Sequence, residues 1–524
     1  MGIRVVAPYG ARLGFNSIGR SPAAVASSEA AAAGASRYGS QVTGTVAIIS
    51  LWLVILVVPA YYKWPLVVLF GAQILCALMS TEVSLYAFLA TGPLFFVVRL
   101  ANLSDPWLAS LREVAFVLLC LSWLLQARNY RGCELKRCVP PGFCVLCALF
   151  ALGAIRAASV EVAILSLRET LRFWMLFPII VAMVGSKPIC ARRALHWILA
   201  GCVLLSAVEL ITYFSGWTPV ARVLTETDVS ARQIGQFLIP RAVPLNLASG
   251  VAGFTDIVAP GIAMATIFAV LGRRHRLLAL AGASGMVLFS ALTFSYSLLG
   301  YAGLAGAALL LVQIHTVGRR GRASMALMLA GGVVVTLVAT SFFVNFGGRG
   351  SGSTLLDYAR YFIEQHYLRY VPSTDNLAAV LLGHGLRYTG GAKILGDANA
   401  LNGWGVRMDP SWSLLLFMLG VPGGLAIIAW LVSIAVRGVQ SAARERSEQA
   451  KPSGAPSTLL LAAVALLTSF GAVHNIPWMI FSGPDGSFIA LAAIVYTLAS
   501  LRGRPPRRVF SQPYRTSTGK PAWR

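Results

Sequence analysis

Apolar runs separated by short basic connectors recur along the chain, near 44–62, 64–80, 83–100, 108–126, 141–158, 170–185, 194–214, 250–271, 277–294, 296–316, 323–345, 411–436, 457–476 and 487–500. Runs of about twenty residues cross a bilayer as helices, because a helix closes its backbone hydrogen bonds within the segment. The pattern predicts an all-α polytopic membrane protein of about fourteen transmembrane helices. Its divisions are a disordered tail over 1–43, eleven spans over 44–345, a large external loop over 346–410, three spans over 411–500 and a basic tail over 501–524. The tail 1–43 has an Ala/Ser-rich tract with no long aliphatic residues, so it lacks the apolar core of a signal peptide.

Composition agrees with the pattern. With 57 % hydrophobic and 12 % charged residues and a mean hydropathy of +0.72, the chain has too little polar surface to enclose a soluble core. The net charge of +24 follows from where the basic residues sit and predicts no nucleic-acid partner. Threaded with the amino terminus inside, the basic connectors around Arg131, Lys187, Arg273, Arg319 and Arg437 and the carboxyl-terminal tail all fall on the cytoplasmic side. Both termini are then cytoplasmic, and two long loops, Ser215 to Ser249 and Phe346 to Asp409, face outward, as expected for a bacterial inner-membrane protein with a periplasmic working face. Neither loop contains a cysteine, so no disulfide is expected. Cys133, Cys138, Cys144 and Cys147 fit no zinc module, and packing is the preferred role.

Charges inside hydrocarbon are expensive, so their depth is informative. Arg99, Arg112, Glu113, Arg168, Glu169, Arg172, Glu209 and Asp256 all fall near the outer ends of their spans, the arrangement expected of a cavity that opens outward. Snorkelling to the outer headgroups is the alternative for each one. Arg168 and Arg172 are four apart and share a helix face, where paired guanidinium donors match phosphate oxygens. Arg232 and Arg241 in the first outer loop are further substrate-binding candidates, as is Arg369 in the second. From Thr354 to Tyr370 an amphipathic helix is expected, either a lid or a cover over the spans.

The end of the large loop reads Asp409-Pro410, then SWSLLLFML, then Gly420-Val421-Pro422-Gly423. This resembles the signature of the bacterial O-antigen polymerases and ligases, in which a His and a small polar residue, nine residues and Gly-x-x-Gly stand where the external loop meets the next span. Asp409 occupies the place of the His, a departure that points to the polymerase branch. Arg387 to Gly403 and Arg369 to Gly385 each match the polymerase loop pattern of an Arg, fifteen residues and a Gly, whereas the companion Arg-and-Gly pattern of the earlier loop is absent.

The resemblance implies a glycosyltransferase C-like membrane architecture and a metal-independent, cofactor-free polymerase. Such an enzyme joins oligosaccharide repeats carried on polyprenyl pyrophosphate, among membrane lipids and alongside a flippase and a chain-length regulator. On it, Arg387 contacts the donor pyrophosphate or developing charge, Asp409 orients or deprotonates the acceptor hydroxyl, and His384 is the reserve base. Asp409 before Pro410 is also the preferred start of any helix, so cap alone and cap plus chemistry both stand. Gly420, Gly423 and Gly424 are alternatively close helix contacts. Ligase-type transfer and a flippase of the same glycan are the competing functions; a flippase should show two similar halves, and no internal repeat is evident.

Overall fold

The computed structural model describes residues 38–54, 64–94, 111–126, 139–156, 159–171, 173–215, 231–234, 237–240, 242, 253–271, 276–293, 377–385, 411–448, 457–475 and 486–502. These residues are helical apart from one short hairpin and a few turns. In chain order the helices are α1 (Tyr38–Val54), α2 (Trp64–Met79), α3 (Thr81–Thr91), α4 (Leu111–Gln126), α5 (Pro141–Ile155), α6 (Val160–Leu171), α7 (Leu176–Ser186) and α8 (Ile189–Ser215). They continue as α9 (Gly253–Leu271), α10 (Arg276–Leu292), α11 (Leu377–Leu382), α12 (Ser411–Glu448), α13 (Thr458–Asn475) and α14 (Ser487–Arg502). The hairpin pairs β1 (Ala231–Ile234) with β2 (Phe237–Pro240), antiparallel.

Among the described residues two helices are long and apolar enough to cross a membrane, α8 and the stretch Leu415–Glu445 of α12. Eight shorter apolar helices accompany them. Several are polar inside and apolar outside. On α2, Gln73 is 9 % exposed while Leu75 is 62 % and Met79 is 82 % exposed. In α4, Ser122 is buried and Leu121, Leu124 and Leu125 face out; in α1, Gln41 and Thr45 are buried beneath an exposed Val46. Water selects the reverse arrangement, and hydrocarbon selects this one.

Contacts between helices order the bundle. The backbone of Gly201 on α8 lies against Ala90 of α3, and Gly261 on α9 meets Cys202 of α8, so small residues set these close crossings. Helix α5 runs antiparallel to the later part of α12: Gly142 at its start abuts the Trp430 ring, Leu149 meets Gly423, and Arg156 just past its end reaches the loop segment at Gly383. Aromatic contacts among Trp174, Phe177, Trp430 and Tyr496 tie the entry to α7, α12 and α14 together.

At one end of the bundle lies a charged node. Glu82, 4 % exposed at the start of α3, accepts from Gln41 Nε2 at 2.7 Å and from Lys187 Nζ at 3.0 Å, with Arg193 Nη1 at 3.5 Å. Arg193 also donates to Gln41 Oε1 at 3.2 Å and lies 4.2 Å over the Tyr38 ring. Pairing and hydrogen bonding on this scale are what a buried carboxylate requires.

Four boundaries differ from the sequence expectations. Residues 38–43, expected in the tail, are the start of α1, because Tyr38 and Gln41 have partners on the bundle. Arg192 and Arg193 lie within α8 rather than in a connector. Helix α6 precedes α7 as a separate element, with a 3₁₀ turn at Phe173–Met175 between them. Helix α12 continues past Val436 to Glu448, burying Val439, Ala442 and Ala443, and Glu445 pairs with Arg502. The predicted spans 296–316 and 323–345 and the amphipathic helix from Thr354 to Tyr370 lie outside the described residues.

Candidate functional site

The predicted signature span is not one straight helix. Pro422 has no N–H to give the Met418 carbonyl one turn earlier, and its ring crowds that oxygen. The chain responds at Gly420, which leaves the helix with φ 74° and ψ 169°, a conformation open in practice only to glycine. The bend is sharp. A Cβ added to Gly424 would lie 2.9 Å from Leu416 Cα, whereas a straight helix separates residues eight apart by about 12 Å.

A broken helix in an apolar setting strands carbonyl groups that need new donors. The large loop supplies them. His384 N–H donates to the Phe417 carbonyl at 2.8 Å and Gly385 N–H to the Met418 carbonyl at 3.0 Å. The short helix α11 presents this segment, its last turn closed by Gly383 N–H to the Ala379 carbonyl at 2.8 Å with Gly383 at φ 71°. Backbones here are in direct contact: a Cβ on Gly420 would sit 2.5 Å from the Leu381 oxygen, and one on Gly383 would collide with Met418 and Gly420. Gly383 and Gly420 are thus needed on both sides of one contact.

Two side chains complete the corner. Arg156 is half-buried, and its Nη1 donates to the Gly383 carbonyl. The half-buried His384 stacks its ring on Phe417, with centroids 4.3 Å apart and planes inclined by 23°. The site therefore holds an imidazole, the group suited to general acid–base work near neutral pH, in a fixed plane beside the signature glycine, with a guanidinium one residue away along the loop backbone.

Of the predicted site residues, His384 is placed in this corner. Arg387, Asp409, Arg369, Arg172 and Arg241 lie outside the described residues. Arg168 is in the last turn of α6, which ends at Leu171, and Arg232 is on β1 opposite Ile239. Glu209 and Asp256, expected along an outward cavity, are each 1 % exposed and buried in the bundle instead. Among the described residues no group of three or more His, Cys, Asp or Glu could hold a metal ion, and Cys144 and Cys147 are free cysteines.

Arg156 and Phe417 were missed by sequence reasoning. Arg156 carried a signal: an arginine at the end of a span expected to face outward runs against the bias that sends basic residues inside. Phe417 carried none, since one aromatic residue in an apolar run is unremarked. Comparison of the chain with protein-family models, with curated proteins and with solved structures finds no match.

Proposed function

We propose that this chain is a membrane-embedded glycosyltransferase that polymerises lipid-linked oligosaccharide repeats at the outer face of a bacterial cytoplasmic membrane. It would do so through about fourteen spans with both termini cytoplasmic. The observation that carries the proposal is the docking of Gly383-His384-Gly385 onto the break at Gly420, which joins the large loop to the signature segment. A loop that merely connects two spans has no need of paired glycines, two main-chain bonds and an arginine clamp at one corner.

In the proposed reaction the acceptor sugar hydroxyl attacks the anomeric carbon of the donor. A new glycosidic C–O bond forms, the bond from that carbon to the pyrophosphate oxygen breaks, and the polyprenyl pyrophosphate leaves with the electron pair. The hydroxyl proton passes to His384 or Asp409, and Arg387 offsets the charge developing on the pyrophosphate. Arg168, Arg172, Arg232, Arg241 and Arg369 are the further anion-binding candidates. Arg156 is a positioning residue, acting through the Gly383 carbonyl. A second function, ligase-type transfer of finished glycan to another acceptor, is favoured by one observation: His384 brings to the signature segment in space the imidazole that Asp409 replaces in sequence.

The test is the set of lipid-linked glycans in cells carrying His384→Gln or Asp409→Asn at normal protein level. Single repeats accumulating outside, without polymer, support the polymerase. Intact polymer left on its carrier supports the ligase, repeats trapped inside point to a flippase, and unchanged polymer in both variants removes these residues from the chemistry.

A further inference from the structure

Helices α1 to α4 line a cavity of about 20 Å³, well away in sequence from the corner at Gly420. Its walls include Ile48 and Trp52 of α1, Gln73 of α2, and Ser84, Phe88 and Thr91 of α3. The mixture is unusual for so apolar a bundle. Trp52 is 2 % exposed, and its indole Nε1 has no hydrogen-bond partner among the described residues. Gln73, 9 % exposed, brings to the same lining a carboxamide that can both donate and accept. Thr91 Oγ1 donates to the Ala87 carbonyl at 2.7 Å and so keeps acceptor capacity.

An unpaired donor of this burial is destabilising by roughly 1–3 kcal/mol, so the Trp52 indole calls for a partner inside the cavity. The volume selects it. A water needs about 10–15 Å³ and two to four polar partners, and the cavity offers room for one, with Trp52, Gln73 and Thr91 to bind it. Lipid tails on the outer faces of these helices cannot meet the same need.

We infer that this cavity is the binding site of a single structural water, which accepts from Trp52 Nε1 and bonds the Gln73 carboxamide and the Thr91 hydroxyl. The water joins α1 to α2 and α3 near the C-terminal ends of α1 and α3, as Glu82 joins α1 to α3 and α8 near the N-terminal ends of these helices. It is a ligand of the fold and independent of the proposed chemistry.

The experiment uses the full chain in lipid nanodiscs and measures thermal unfolding of Trp52→Phe, Gln73→Leu and the double variant. A dry cavity and an occupied one predict opposite signs for Gln73→Leu, since replacing an unpartnered amide by an apolar group of similar size stabilises, whereas stripping a bound water of a partner destabilises. The expected result is a Tm lowered by a few degrees in each single variant, with the double variant less affected than the two losses added. A raised Tm in Gln73→Leu, or strict additivity, overturns the inference. Should Gln73→Leu not fold, the wild-type chain with ¹⁵N-labelled indoles decides: the resonance lost in Trp52→Phe should show a magnetisation-transfer peak from a long-lived water, and a resonance without that peak overturns the site.

Discussion

At one end of the bundle Glu82 is held by side chains from three other places in the chain, Gln41, Lys187 and Arg193. At the corner reached by Arg156, the break at Gly420 is held almost wholly by backbone: Leu381 and Gly383 lie against Gly420, and His384 and Gly385 donate to the Phe417 and Met418 carbonyls. Both are polar groups placed in an apolar bundle, and the remedies differ. A charged node tolerates changes of shape as long as charge and hydrogen bonds survive, because long side chains re-aim. A backbone contact tolerates changes of charge nearby but no added atom, because main chain cannot swing aside. The first kind suits a fastening, and the second suits a site in which an imidazole must stay in one plane.

The contrast is broken most directly at Gly420. Gly420→Ala forces a Cβ to within 2.5 Å of the Leu381 oxygen and places alanine at φ 74°. The backbone strain alone amounts to about 1–3 kcal/mol, and the collision adds to it. The expected outcome is loss of the bridge from α11 and of glycan product, with protein level sharply reduced. Gly71→Ala is the control: nothing lies within 4 Å of a Cβ there, so melting and yield should stay at wild type or rise slightly. Equal effects from the two alanines would mean that the corner is not a tight main-chain contact.

Much of the helical framework was legible because hydropathy over some twenty residues reports burial in lipid regardless of partners. Helices α9, α10, α13 and α14 begin and end within three residues of their apolar runs for that reason. The site was legible only as a spacing. The apolar run 411–436 passes across Gly420 without interruption, and an average over residues cannot register one glycine leaving the helix. Pro422-Gly423-Gly424 was the local sign of the break. What meets it came from far away, since Arg156 and Gly383 are 227 residues apart. No local pattern encodes such a contact. The node at Glu82 was hidden for a related reason: Lys187 and Arg193 look like connector charges until Glu82 and Gln41 are brought to them.

A smaller effect is expected from Glu82→Gln. The amide keeps the shape and a hydrogen-bonding oxygen for Gln41 but gives up the charge that Lys187 and Arg193 face. The Lys187 side chain is 43 % exposed, so water replaces part of what it loses, and Arg193, at 22 %, loses more. A destabilisation of roughly 1–2 kcal/mol is expected, read as a Tm lower by several degrees with glycan product retained. Abolished product in a folded Glu82→Gln protein would join the two ends functionally and undo the division drawn above.

The smallest effect is expected where the two causes of the corner can be separated. Pro422 prevents a straight helix through its missing N–H, and the glycines permit the bent one through their missing Cβ atoms. Pro422→Ala removes the first cause and leaves the second. It restores one N–H, which competes with Gly385 for the Met418 carbonyl. Straightening the segment would gain little helical energy, because a proline in the first turn after a break is well tolerated. It would also give up both loop-to-helix bonds, each contributing about 0.5–1.5 kcal/mol, together with the stacking of His384 on Phe417. The balance favours the bent form, so Pro422→Ala should melt within a degree or two of wild type and keep its product. A loss comparable to that of Gly420→Ala would show that the proline sets the corner and that the paired glycines only accommodate it.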